Sequence, residues 1–507
     1  LKITKKSIFV FVLFFTFISI QPINSMTDNN NLDLLKPDDD VEKVWDFETG
    51  NHVFSTPAVG NITGGPFYEC VFGSTDKRVY CLDWEGDFMW SYETGGSILS
   101  SPALADIDLD SYLEVLIGSG DGKMYCLEND GDVKWIFDTG SYIMSSPAVA
   151  DLDADGTLEI VFGAEDYNVY CINHLGEEEW HYTTGWMIGF ASPAIADIDN
   201  NGILEIVIGS GDGYLYCFDP QGTKIWDYPM TFEIESSPAI ADLDADLTLE
   251  IVIGGMDDQV HCINHIGTSE WIFSHGMDYK SSPAIIDIDN DDYLEIIIGS
   301  SDNKVFCISN FGAEEWNYTT GGPVTSSPAI FKSGLTLYYE IVVGSLDNHL
   351  YCIGGLGHQH WNYSTGGFIY SSPIIAYLDY TVEKEIIFGS YDNKTYCLNA
   401  DYHLPTFEGQ WNCFRGSVFH TGQLDSDSDY LDDLTEDFYY TDPDDPDTDG
   451  DGIIDGMEVF AGTDPNDISI FPSYTKDADM SLSTFIPILF IAVSTILVLN
   501  RRKQRRK

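Results

Sequence analysis

SSPAVADLDADGTLEIVFGAEDYNVYC, Ser145 to Cys171, decides the fold, because the chain writes nearly the same string eight times. Trp45, Trp90, Trp135, Trp180, Trp226, Trp271, Trp316 and Trp361 stand 45 residues apart, with a single step of 46. Pro57, Pro102, Pro147, Pro193, Pro238, Pro283, Pro328 and Pro373 keep the same interval. Self-similarity at this period points to a solenoid or a propeller. The apolar runs in each unit are four to seven residues long, rich in Ile, Val, Tyr, Phe and Trp. Gly, Asp, Asn, Ser and Pro bound them, and no helical i, i+3, i+4 spacing is sustained. GSGDGYLYC (Gly209 to Cys217) reads as a hairpin around an Asp-Gly turn, and other units place Asp-Asn or Asp-Lys there. Four short strands per unit make one blade, which buries its faces only against neighbouring blades. The expectation is therefore all-β: an eight-bladed β-propeller of four-stranded antiparallel blades, spanning residues 41–422. VEKVWDFETG (Val41 to Gly50) has the features of a unit's last strand without the three that should precede it. Residues near Trp45 are expected to complete the eighth blade, the alternative being Gly409 to Phe414.

The string GSGDGYLYCFDPQGTKIW (Gly209 to Trp226) resembles the tryptophan-docking repeats of pyrroloquinoline-quinone (PQQ) propellers. ADLDADGTLEIVFG (Ala150 to Gly163) resembles FG-GAP-type repeats, as in integrin α-subunit propellers, and WNCFRGSVFHTG (Trp411 to Gly422) resembles a closing segment of microbial surface propellers. These resemblances imply a propeller; they do not fix an activity, since one fold hosts many. A quinoprotein dehydrogenase is the enzymatic alternative. Against it, no two cysteines are adjacent, so the disulfide of neighbouring cysteines that such enzymes carry is missing, and PQQ is not expected. No His/Cys cluster with zinc spacing, no G-x-S-x-G and no phosphate loop appears, so no catalytic constellation is assigned. His174, His265, His358 and His360 are placed in blade-connecting turns.

The ends of the chain speak to its compartment. Lys2, Lys5 and Lys6 precede a mostly apolar run of 13 residues (Ile8 to Ile20), the pattern of a signal peptide over residues 1–26, followed by an acidic linker at 27–40. Ser481 to Leu499 is 19 residues without charge and precedes a basic tail at 500–507, which reads as a single membrane span with a cytoplasmic end. The expected molecule is a single-pass cell-membrane protein with its propeller outside. The formal net charge is −60, and nine of the 23 Lys and Arg residues lie in the terminal segments. So acidic an exterior excludes a phosphate-backbone partner, and no nucleic acid is expected. Ten cysteines in a secreted chain would suggest disulfides. Eight of them, however, take one equivalent position per unit: Cys81, Cys126, Cys171, Cys217, Cys262, Cys307, Cys352 and Cys397. Equivalent positions of neighbouring blades lie beyond bridging range, so these thiols read as small buried hydrophobes. Cys70 and Cys413 are out of register and could pair across the closure.

In units two to six the strand after the proline enters a loop with acidic or amide groups at alternate positions. The sets are Asp106, Asp108 and Asp110; Asp151, Asp153 and Asp155; Asp197, Asp199 and Asn201; Asp242, Asp244 and Asp246; Asp287, Asp289 and Asp291. A glutamate follows each at loop position nine: Glu114, Glu159, Glu205, Glu250 and Glu295. Ca²⁺ wants six to eight oxygens, and alternate residues of a tight loop can aim carboxylates inward, so these loops are expected to bind calcium. Glu69, Glu340 and Glu385 keep the glutamate in units whose aspartates are mostly missing, which suggests a structural task for it as well. Residues 423–470 carry two further loops with EF-hand spacing: Asp425, Asp427, Asp429, Asp433 and Glu436, then Asp447, Asp449, Asp451, Asp455 and Glu458. With YTDP and GTDP after them they resemble thrombospondin type-3 repeats, which implies a calcium-stiffened stalk, followed by a linker at 471–480.

One position varies while its surroundings do not. Three residues before each proline stand Phe54, Leu99, Met144, Phe190, Glu235, Lys280, Thr325 and Tyr370. Loops entering innermost strands surround the mouth of a propeller's central channel, so this ring is the expected contact face for an extracellular protein or glycan ligand. Asn61, Asn317, Asn362 and Asn393 begin N-x-[ST] sequons, which suit an extracellular adhesion or scaffold module.

Overall fold

The computed structural model describes residues 41–399, apart from 66, 111, 290, 292, 333–338 and 379–383. Numbered in chain order, 32 strands of the described residues form eight separate four-stranded sheets. The first blade is a meander of β2 (Ala58–Gly60), β3 (Glu69–Gly73), β4 (Arg78–Leu82) and β5 (Phe88–Glu93), all antiparallel. The next six blades repeat it. The eighth takes β30 (Ile374–Ala376), β31 (Glu385–Ser390) and β32 (Lys394–Asn399) from late in the chain and β1 (Lys43–Glu48) from its early part. Trp45 pairs with Cys397 and Glu48 with Lys394, so the segment around Trp45 closes the ring as expected. Residues 409–414 lie outside the described residues.

Packing is between blades rather than within them. Val71 and Cys81 of the first blade pack on Leu104, Val115, Ile117 and Leu127 of the second, all fully buried. At the closing seam Trp45, Val53, Phe72 and Leu82 meet Ile374, Leu378 and Ile387. Each such side chain contributes roughly 1.5–3 kcal/mol on burial. The eight repeat cysteines and Cys70 are buried, which matches the reading of the thiols as filler. Cys413 lies outside the described residues.

Each recurring residue has a task at a blade junction. The indole N–H of Trp90 donates to the carbonyl of Asn129 in the next blade at 3.0 Å, and that of Trp135 to His174 at 2.9 Å. Gly131, at φ +86°, lies against the Trp90 ring, where a Cβ would come within 2.8 Å of it. In the two-serine motif, the first hydroxyl accepts from a glycine N–H of its own blade, as Ser145 does from Gly163 at 3.1 Å. The second links blades. Thr56 N–H donates to Ser101 Oγ at 3.0 Å, Ser101 to Ser146 at 2.9 Å, Ser146 to Ser192 at 2.9 Å and Ser192 to Ser237 at 3.0 Å. The belt continues from Ser237 to Ser282, Ser327 and Ser372, and Ser372 N–H returns to Thr56 Oγ1 at 3.2 Å. Eight hydrogen bonds therefore encircle the channel. One placement differs from expectation: His174 and His265 sit in turns, but His358 and His360 belong to β29 (His358–Ser364). The residue before the tryptophan, here His360, is strand in every blade, and β29 begins one residue earlier than its counterparts and so takes in His358.

Candidate functional site

The acidic loops follow the innermost strands of blades two to six. Asp151 works as an internal cap: its Oδ1 accepts from Asp155 N–H at 3.1 Å and its Oδ2 from Gly156 N–H at 2.9 Å. Asp155, at loop position five, turns to its own chain and accepts from the Thr157 N–H and hydroxyl at 2.9 and 2.7 Å. Glycine at position six carries φ +85° at Gly156 and +82° at Gly202, while Leu247 adopts +76° there without that freedom. The groups that converge are at positions one, three and nine rather than one, three and five. Asp106, Asp108 and Glu114 have carboxylate oxygens within 4.8 Å of one another, as do Asp151, Asp153 and Glu159, and Asp197, Asp199 and Glu205. Thus Asp110 and Asp155 fall outside the carboxylate groups that converge in their blades.

The ninth-position glutamates hold the backbone of their own loops. Glu159 is buried, and its Oε2 accepts from Leu152 N–H at 2.9 Å. Glu114, Glu205, Glu250 and Glu295 do the same for Ile107, Ile198, Leu243 and Ile288. Glu69 and Glu385 hold Ile62 and Leu378 in units without the aspartate set, which explains why the residue persists there. Burial pushes these carboxyls up from an ordinary 4.5, to about 7 in Glu114 and Glu205 and about 8 in Glu159, Glu250 and Glu295.

A residue that the sequence did not single out varies beside these groups. In every blade the pairing of the two outer strands shifts by one between the repeat cysteine and the next residue, leaving one residue of the outer strand bulged. A bulge re-aims a side chain. Met89, Ile225 and Val44 are the apolar bulge residues, in blades one, four and eight. Glu179, Glu270 and Glu315 stand there in blades three, five and six, and each adds like charge beside the ninth-position glutamate of its blade. Those blades thus gather four carboxylates each. In blade two the bulge holds Lys134, whose ammonium reaches Asp108 at 2.5 Å, Glu114 at 3.2 Å and Glu128 at 3.2 Å. Burial alone would lower the Lys134 pKa, but hydrogen bonds to Asp108 and Glu114 outweigh it and raise it. A tethered cation occupies this cluster.

At the channel mouth the eight variable residues come together. Phe54, Leu99, Met144, Phe190, Glu235, Lys280, Thr325 and Tyr370 all line one cavity of about 290 Å³. Its wall is polarised. Phe54 stacks on Tyr370 with ring centroids 5.1 Å apart and reaches Phe190 at 5.4 Å; Tyr370 continues the file to Tyr391 at 4.9 Å. Elsewhere in the cavity Lys280 pairs with Glu235 at 2.9 Å. Seven hydroxyls of the belt also line it: Thr56, Ser101, Ser146, Ser237, Ser282, Ser327 and Ser372. Each oxygen already accepts one backbone N–H, which leaves its proton to donate. Both loop sets of residues 425–436 and 447–458, and the 481–499 segment, lie outside the described residues; within the described residues no helix is long and apolar enough to cross a membrane.

Two family models match parts of the chain: the lambda-carrageenase β-propeller domain over residues 76–150, and the bacterial TSP3 repeat over residues 447–468. No curated protein matches. Among solved structures, BamB from Moraxella catarrhalis is 15% identical with a TM-score of 0.54, covering 72% of this chain and 99% of that one. Saccharomyces cerevisiae Sqt1 is 12% identical with a TM-score of 0.58, covering 72% and 100%. The computationally designed Ika8 protein is 14% identical with a TM-score of 0.53, covering 69% and 97%. At these identities the likeness is one of fold alone. The TSP3 match falls on the second of the two EF-hand-like loops, the one with Gly452 at position six.

Proposed function

We propose that the chain is an extracellular calcium-binding propeller that captures a glycan at the mouth of its central channel and is held at the cell surface by residues 481–499. One observation carries this reading: eight positions that differ in chemistry, in a frame that hardly changes, line the same cavity above a floor of hydroxyls. A sugar presents C–H faces that stack on aromatic rings and hydroxyls that exchange hydrogen bonds with polar groups at fixed places. The cavity wall supplies both. The name of the family model over residues 76–150, a carrageenase propeller, favours a glycan over a protein. Calcium in the acidic loops other than the Lys134-filled one of blade two, and in the TSP3-like stalk, is the expected structural ion, supported in the stalk by the match at 447–468. The leader-like start and the uncharged 481–499 segment support the surface location.

A glycan array and a protein array, probed with the purified chain in calcium, test the reading. Glycan capture is expected, and Phe54→Ala, Phe190→Ala and Tyr370→Ala should each abolish it while leaving the melting temperature unchanged. Capture that survives all three substitutions, or binding to proteins only, would overturn the assignment. Turnover of an alcohol with added quinone would favour the quinoprotein alternative instead.

A further inference from the structure

The bulge that carries carboxylates in blades three, five and six carries His360 in blade seven, and there the donor set changes character. Three adjacent strands contribute: Glu340 from β27 (Tyr339–Gly344), Cys352 from β28 (His349–Gly354) and His360 from β29. One ligand-type atom of each lies within 4.8 Å of the other two. The Cys352 thiol donates to Glu340 Oε2 at 2.9 Å, and His360 Nδ1 stands 3.5 Å from Glu340 Oε1. A tetrahedron built on bonds of about 2.0–2.3 Å, the lengths zinc makes to nitrogen, oxygen and sulfur, has edges of about 3.3–3.8 Å. The 3.5 Å separation falls in that range, and the 2.9 Å hydrogen-bonded pair would open slightly on giving up its proton. The glutamate side chain is 9% exposed and the thiol buried, whereas the imidazole is 40% exposed, so an ion has a way in past His360.

The repeat itself supplies an independent sign. Two residues after the repeat cysteine, seven units place a side chain: Asp83, Glu128, Asn173, Asp219, Asn264, Ser309 and Asn399. The seventh unit has Gly354, and a Cβ there would fall 2.5 Å from Nε2 of His360. Glycine is therefore what lets the imidazole lie against the sheet beside Glu340 and Cys352. The same unit lacks the loop aspartates. A hard-oxygen arrangement has been replaced by one of nitrogen, sulfur and a single carboxylate.

We propose that Glu340, Cys352 and His360 form a site for a borderline divalent cation of the zinc class, with water in the fourth position, separate from the calcium loops. Thiolate and imidazole select such ions, while calcium prefers oxygen alone. The thiol gives up its proton on binding.

Cobalt(II) titration of the full chain in excess calcium tests this. The expected result is one cobalt ion per chain giving an intense thiolate-to-cobalt charge-transfer band, bleached by zinc and untouched by more calcium. Cys352→Ala should remove the band, and His360→Gln, on the exposed side of the site, should weaken cobalt binding by more than about tenfold. Cys307→Ala, the equivalent cysteine of blade six, should leave it intact. Absence of the band in the unaltered chain, its survival in both Cys352→Ala and His360→Gln, or its loss in Cys307→Ala would each overturn the proposal.

Discussion

Lys134 and Glu179 occupy the same bulge one blade apart, and on the proposed function exchanging one for the other should reverse what the neighbouring loop holds. With Lys134 the cluster of Asp108 and Glu114 already has its positive charge; with Glu179 the cluster of Asp151, Asp153 and Glu159 has four carboxylates and none. Lys134→Glu should therefore create one additional calcium site, read by isothermal titration as a stoichiometry one higher than in the unaltered chain; an unchanged stoichiometry would contradict this. The pH dependence follows from the same groups. Glu159, Glu250 and Glu295 hold a proton up to about pH 8 when folded, against an ordinary 4.5. A carboxyl whose pKa is raised by folding stabilises fully below its unfolded value, and that contribution is lost as pH rises through the folded value. In a chelator this contribution should decline between about pH 4.5 and pH 8, and the gain in melting temperature on adding calcium should be larger at pH 8 than at pH 5.5. Equal gains would show that these glutamates do not face the ion. The loop aspartates were legible in the sequence because alternate spacing in a tight loop is distinctive. Lys134 and Glu179 were not, since a charged residue beside a strand tryptophan usually faces solvent.

At the scale of the element, the paired serines before each proline divide their work between strand and ring. Ser237→Ala removes the acceptor of the Ser192 N–H, a buried link 3.0 Å long, and should cost about 1–3 kcal/mol in denaturant unfolding. A cost near zero would mean that the belt does not hold the blades. Strand identity, hairpin turns and the single cysteine per blade could be read from apolar runs and turn residues. The bulge could not: the chain keeps a constant nine residues from cysteine to tryptophan in every complete unit, and only the partner strand reveals that one of them is extra. The Glu340, Cys352 and His360 group is hidden for the same reason, because three strands of one sheet assemble residues that share no motif spacing.

For the molecule as a whole, one framework is repeated eight times, and two of its varying positions face a cavity or a cluster of charged groups. The inner one faces the channel, where Phe54, Glu235, Lys280 and Tyr370 set the chemistry of the cavity. The outer one is the bulge, held by Lys134, Ile225, Glu179 or His360 in different blades, and on our proposal it sets which cation the blade takes. Blade number and ring closure were legible because repeats announce themselves, and Trp45 came without its three preceding strands. Which side chains meet across the channel was legible only as a ring, since Phe54 reaches Phe190 three blades away. The most direct test of this division is an anomalous-difference map from crystals of the chain grown with a lanthanide in place of calcium. The account predicts peaks beside Glu159 and Glu179, Glu250 and Glu270, and Glu295 and Glu315, and none in the Lys134-filled cluster of blade two. Empty four-carboxylate loops, or a peak of equal height beside Lys134, would contradict it.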